Sequence, residues 1–145
     1  MKTNSKKFSI KDWFEKNKLY ILAFVLPILS MLIVYYFKNI FPFGDQMYLR
    51  SDCYHQYTPY LEILQQKLKD GGSLFYTWEI GAGMNFMAVA AYYLTSPLNL
   101  LAIIWPGYMA DMVSFFIVLM MGLDGFSVCY YLTKRFGQKN ISSVV

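Results

Sequence analysis

The sequence predicts an all-α, polytopic integral membrane protein, with two clear transmembrane helices and short interfacial helices in the outside segment between them. Three observations carry this. Hydrophobic residues make up 57% of the chain and charged residues 15%, against roughly 45–50% and 25% in soluble domains, so lipid must be part of the solvent. Two apolar runs, Leu19 to Phe37 and Met112 to Leu132, are each long enough to cross a bilayer core as a helix. Basic residues crowd the outer ends of both runs, where they act as topology signals.

Residues 1–18 form a basic N-terminus, with Lys2, Lys6, Lys7, Lys11, Lys16 and Lys18 against Asp12 and Glu15. The first span, 19–37, carries no charge, and Lys38 follows it. Pro27 lies inside and should kink it, which lipid-embedded helices tolerate when neighbours satisfy the freed carbonyl. Tyr35 and Tyr36 sit at its far end, where interfacial aromatics belong. A cleaved signal peptide is the rival reading. The run is long for such a segment and no small-residue cleavage site follows, which favours an anchor.

The second span, 112–133, ends at Lys134-Arg135 and contains Asp124 between Gly122 and Gly125. An intramembrane acid either pairs with another helix or serves function, and both readings stay open. Residues 134–145 form a second basic end that includes Lys139, and Asn140 to Val145 reads as the beginning of a further apolar segment. Two basic ends on one side require an even number of crossings. The N-terminus is then cytoplasmic and residues 38–111 form an outside segment of a multi-pass membrane protein.

Within that segment, Thr58-Pro59 reads as an N-cap and first helical residue, and Asp70-Gly71-Gly72 as a stop. Leu61, Leu64, Gln65 and Leu68 recur at helical spacing, so residues 59–70 should form an amphipathic helix. Glycines and prolines punctuate the apolar stretch that follows, predicting two short helices, about 84–94 and 97–105, at the outer interface rather than a third span. The net charge of +4 could suggest nucleic acid, but the hydropathy assigns it to topology and no nucleic-acid partner is expected. One histidine and two distant cysteines, Cys53 and Cys129, build neither a disulfide framework nor a metal cluster.

The densest polar cluster is Asp52-Cys53-Tyr54-His55-Gln56-Tyr57, just beyond the first span, with Asp45 and Arg50 before it. A carboxylate there can act as general base on a hydroxyl or help hold a divalent cation. Tyr54, His55, Gln56 and Tyr57 can hydrogen-bond sugar hydroxyls or phosphate, and Arg50 can grip phosphate as a bidentate fork. By composition alone, the cluster also suits a structural role at a membrane interface. A second candidate surrounds Gly81 and Gly83, with Glu79 and Asn85 as its polar groups. A lone G-x-G is equally a tight turn, and no phosphate-loop lysine follows.

Five motifs then occur in order: Phe41-Pro42-Phe43-Gly44; Asp52, Tyr54, Gln56, Tyr57 and Pro59; Gly72 through Tyr76, then Trp78; Gly81, Gly83, Asn85 and Phe86; and Tyr92-Tyr93, Ser96-Pro97 and Asn99-Leu100. This series, spread over about residues 41–136, resembles the start of YfhO-type bacterial membrane proteins. That family looks like the GT-C class of polytopic glycosyltransferases. The resemblance implies transfer of a sugar from a polyprenyl-phosphate carrier to a cell-envelope polymer such as lipoteichoic or wall teichoic acid. It further implies membrane lipid as surroundings, and Asp52 as the catalytic base with Asp45 second. Family members carry many more spans and a further outside domain, so it also implies an N-terminal fragment, inactive without the remaining helices. Two alternatives stand beside it. One is a transporter or flippase-like segment for lipid-linked substrates, using Asp124. The other is a small two-span interaction protein.

Overall fold

The computed structural model describes residues 9–137. The basic residues at 2, 6, 7 and 139 and the apolar tail therefore lie outside the described residues. Along the chain come α1 (Ile10–Phe37), a π-helical turn (Cys53–Tyr57), α2 (Thr58–Asp70), α3 (Phe86–Tyr93), a 3-10 helix (Pro97–Ile103) and α4 (Met109–Phe136). Among the described residues there are no strands, only two isolated bridges. The fold is all-α, with two helices long and apolar enough to cross a membrane and shorter helices between them.

Both long helices have 28 residues, or about 42 Å at 1.5 Å per residue, against a bilayer core of about 30 Å. They begin before the apolar runs and extend their polar ends beyond the core. The chain divides into two compact units, Met1–Val34 with Val118–Val145, and Tyr35–Ile117.

The first unit is an antiparallel helix pair. Its contacts run in opposite directions along the two helices: Gly122 meets Ile28 and Phe24, Gly125 meets Ala23 and Pro27, and the Cys129 thiol points at the Leu19 carbonyl, 4.0 Å away. Pro27 has no N–H, so the Ala23 carbonyl four residues earlier lacks its helical donor. Gly125 lies directly over that carbonyl, leaving no room for a Cβ. The expected kink site is therefore where α4 comes closest. Asp124, next to Gly125 in sequence, is exposed. That leaves it available to a further helix or to function, the two readings the sequence left open.

The second unit has its own core. Leu61, Ile63 and Leu64 of α2 pack on Phe86 and Val89 of α3, Ala102 of the 3-10 helix, and Met109, Met112 and Phe116 at the start of α4. The buried face differs from the expected one at one edge: Ile63 is inside, whereas Leu68 is 36% exposed. Elements on two sides of α2 widen its covered arc beyond a single heptad stripe. Gln65 takes a specific role. Its amide donates to the carbonyls of Ala102 and, at 3.0 Å, Trp105; Ala102 also accepts the Trp105 N–H at 3.3 Å, so the amide adds a second donor there and ties α2 to the end of the 3-10 helix. Gln65→Leu should cost about 1–3 kcal/mol, because the half-buried tie between α2 and the end of the 3-10 helix is lost and the Trp105 carbonyl loses the amide donor. Thermal unfolding in detergent measures it, and an unchanged midpoint would show that water replaces the amide.

The stretch 84–105 folds as the two short helices expected, with tighter ends. Asn85 accepts the Ala88 N–H at 3.3 Å and so caps α3. At eight residues, α3 is about 12 Å long and cannot span a bilayer.

Candidate functional site

The backbone around Asp52 is irregular on both sides. Ser51 holds φ +50°, a left-handed conformation that costs a non-glycine residue about 1–2 kcal/mol. Its carbonyl accepts from Tyr54 N at 3.0 Å and His55 N at 2.9 Å, so a helical turn starts at once. That turn is π-helical over Cys53–Tyr57 and runs directly into α2. Thr58 is thus not the N-cap the sequence suggested. Instead its N–H and, at 3.0 Å, its hydroxyl both donate to the Cys53 carbonyl. Pro59 explains the wide turn: in a regular α-helix its ring would strike the carbonyl four residues back, and a π-turn opens that space. Such turns recur at functional sites.

One face of this turn collects the polar groups. The Gln56 amide approaches Asp52 Oδ1 at 3.5 Å, a long contact that leaves the carboxylate accessible. Tyr57 and Tyr60 both press on Tyr93 of α3, with ring centroids 5.2 and 5.1 Å away, and Tyr92 lies 4.6 Å from Tyr93. Burial, the neighbouring phenols Tyr60, Tyr92 and Tyr57, and finally Asp52 raise the Tyr93 pKa. As with any phenol at neutral pH, its hydroxyl is protonated and can donate a hydrogen bond. The result is an exposed carboxylate and a half-buried amide beside four tyrosines.

The other sequence-derived candidates distribute differently. Tyr54 and His55 are exposed and stack edge-on at 5.2 Å. Arg50 is exposed and forms no ion pair among the described residues. Asp45 lies in a separate exposed turn, closed by Gln46 N donating to Asn39 O at 2.8 Å and Phe43 N to Ile40 O at 2.8 Å. No hydrogen bond joins Asp45 to the Asp52 turn among the described residues. Glu79 accepts from the Thr77 hydroxyl at 3.1 Å inside a second loop, pinned by reciprocal Thr77–Met84 backbone bonds of 3.0 and 2.9 Å. Asn85 spends its side-chain oxygen on the α3 cap. No group of three His, Cys, Asp or Glu side chains converges among the described residues, so these residues alone do not build a cation site.

Tyr93 is the residue that sequence reasoning missed, along with Tyr60 and Tyr92. The Tyr92-Tyr93 pair stood in the last motif, but only the fold brings it against the Asp52 turn. Gly83 matters to the second loop. It holds φ +99°, and a Cβ there would overlap the Tyr76 hydroxyl and approach Trp78 at 2.9 Å. Gly83→Ala should destabilise the second unit by roughly 2–4 kcal/mol, combining a disfavoured φ with overpacking. A detergent melt measures it, and a loss below that of an exposed-surface substitution would contradict the tight loop.

Against this geometry, a family model described as bacterial membrane protein YfhO matches residues 23–145. The chain belongs to the YfhO family. No match is found among curated proteins or among solved structures. The YfhO match takes in the Asp52 turn, the tyrosines of α2 and α3, all of α4 and the C-terminal half of α1. With two helices of membrane-crossing length and composition, this YfhO-family chain is a membrane protein.

Proposed function

We propose that this chain supplies part of the active site of a membrane glycosyltransferase. In this reading it moves a sugar from a polyprenyl-phosphate carrier to an envelope polymer such as lipoteichoic or wall teichoic acid, outside the bacterial cytoplasmic membrane. The carrying observation is the exposed Asp52 carboxylate, with Gln56 and four tyrosines beside it, on the outside segment that follows a span-length helix. Asp52 takes the proton from an acceptor hydroxyl as its oxygen attacks the anomeric carbon. The carbon–oxygen bond to the lipid phosphate breaks, its electron pair leaves with the phosphate, and the configuration inverts. Arg50 can neutralise that phosphate. Tyr57 and Tyr93 offer ring faces and hydroxyls to the sugar. The remaining walls come from further helices of the full-length protein.

The antiparallel pair supports the proposed topology. It brings the Lys16–Lys18 end of α1 and the Lys134–Arg135 end of α4 to one side, which the charge bias makes cytoplasmic. Deleting the gene should remove one sugar substituent from the envelope polymer while polymer backbone synthesis continues. Compositional analysis of purified teichoic acids reads this directly, and unchanged glycosylation in the deletion strain would reject the function.

A second reading, translocation of a lipid-linked substrate, draws on the exposure of Asp124 within an apolar span. Asp124→Asn would then block translocation while sugar transfer to a supplied acceptor persists.

A further inference from the structure

Between the two helices of the first unit lies an apolar groove of about 440 Å³. Its walls are Trp13, Tyr20, Ile21 and Phe24 of α1 with Phe126 and Tyr130 of α4. The α1 residues recur at helical spacing along one face. Tyr20 meets Phe126 at 6.0 Å and Tyr130 at 6.2 Å, and Phe126 stacks on Tyr130. The one amide in the lining, Asn17, donates to the Trp13 carbonyl at 2.8 Å. The groove therefore offers water almost no partners, and a cavity of that kind does not hold water.

Its rim has the opposite character. Lys134 Nζ sits 5.6 Å from the centre of the Tyr130 ring, so an ammonium stands at the mouth. The two helix ends here carry Lys11, Lys16, Lys18, Lys134 and Arg135 against Asp12 and Glu15, and Glu15 is already paired with Lys18 at 3.2 Å. Tryptophan and tyrosine at this level are the side chains that settle at a headgroup boundary.

An apolar slot opening beside a cation, on helices of membrane-crossing length, matches one ligand: a tail and a negatively charged head. We propose that the groove binds an acyl chain of an anionic phospholipid from the leaflet that the basic helix ends face, with Lys134 holding its phosphate. This site is independent of the Asp52 turn and of the reaction proposed for it.

Trp13 makes the site observable. The full chain is reconstituted in phosphatidylcholine vesicles containing a small fixed fraction of lipid brominated on the acyl chain, either phosphatidylglycerol or phosphatidylcholine. The Trp13 signal is the difference between the wild type and Trp13→Phe. Brominated phosphatidylglycerol should quench it with roughly fivefold preference over phosphatidylcholine, the factor expected of one lysine at an anionic surface. Lys134→Gln should erase that preference and Lys134→Arg should keep it. Ile21→Phe, which adds bulk to the groove, should weaken quenching by both lipids. Far-UV circular dichroism confirms that each variant is folded. Equal quenching by the two lipids in the wild type, or a preference that survives Lys134→Gln, overturns the headgroup assignment. Quenching unaffected by Ile21→Phe overturns the acyl-chain site.

Discussion

If the proposed sugar transfer holds, protein carrying Asp52→Asn should insert into the membrane normally and transfer sugar ~10²–10⁴-fold more slowly, the usual contribution of a general base. The substitution keeps the shape of the side chain and its contact with Gln56 while removing the ability to accept a proton. Asp52 is exposed and is not among the residues of the second unit's core, so the loss should appear in the rate and not in the melting temperature. Asp45→Asn is the matched comparison. Asp45 occupies a separate turn, closed by its own backbone hydrogen bonds, and should leave the rate within about threefold, as for a surface substitution away from the chemistry. Transfer from a purified lipid-linked donor is the measurement. Full activity in Asp52→Asn would remove Asp52 from the mechanism. A loss confined to Asp45→Asn would move the base to the preceding turn. Tyr93→Phe tests the neighbouring wall: it keeps the ring packing of the tyrosine cluster and removes only the hydroxyl.

How far the sequence announces this arrangement depends on the range of the contact involved. The long helices were legible because a 20-residue apolar run admits little else. Both ends of α2 were nearly legible, since Pro59 and Asp70-Gly71 bracket it within two turns of the residues they control. The π-turn was not. Proline near a helix start ordinarily marks the first turn, and only the continuous path from Ser51 into α2 forces the wider geometry. Asn85 carries a local signal of a second kind. An asparagine just before an apolar run is an N-cap pattern, and its side chain proves to be used for that, although it stood out as a polar group for substrate. Tyr93 belongs to a third kind. Its approach to Tyr57 and Tyr60 depends on α2 and α3 packing around Phe86, a contact between segments far apart in sequence. No local pattern encodes that, so the sequence offered Asp52 as a candidate carboxylate without the tyrosines that the fold places beside it.

Gly125→Ala should loosen the helix pair of the first unit by roughly 1–3 kcal/mol, while Gly122→Ala should be close to neutral. The two changes add the same methyl group to the same helix, three residues apart, so helix propensity favours both equally. What differs is the atom each methyl meets. At Gly125 it overlaps the Ala23 carbonyl oxygen, with Pro27 Cγ 3.0 Å away. A backbone oxygen fixed in α1 cannot move aside without displacing the helix, and this carbonyl already lacks the donor that Pro27 would otherwise have supplied. At Gly122 the nearest atom is Ile28 Cδ1 at 2.6 Å, the end of a side chain that can change rotamer at a cost of about 1 kcal/mol. The comparison isolates backbone approach from composition, which matters in lipid, where small residues bring helices together without help from the hydrophobic effect. Thermal unfolding of each variant in the same detergent gives the result. Equal losses would mean that the pair is held by general close packing. A selective loss at Gly125 would mean that the proline-freed carbonyl fixes the register of α4 on α1, and with it the level at which the Lys134 end meets the membrane surface.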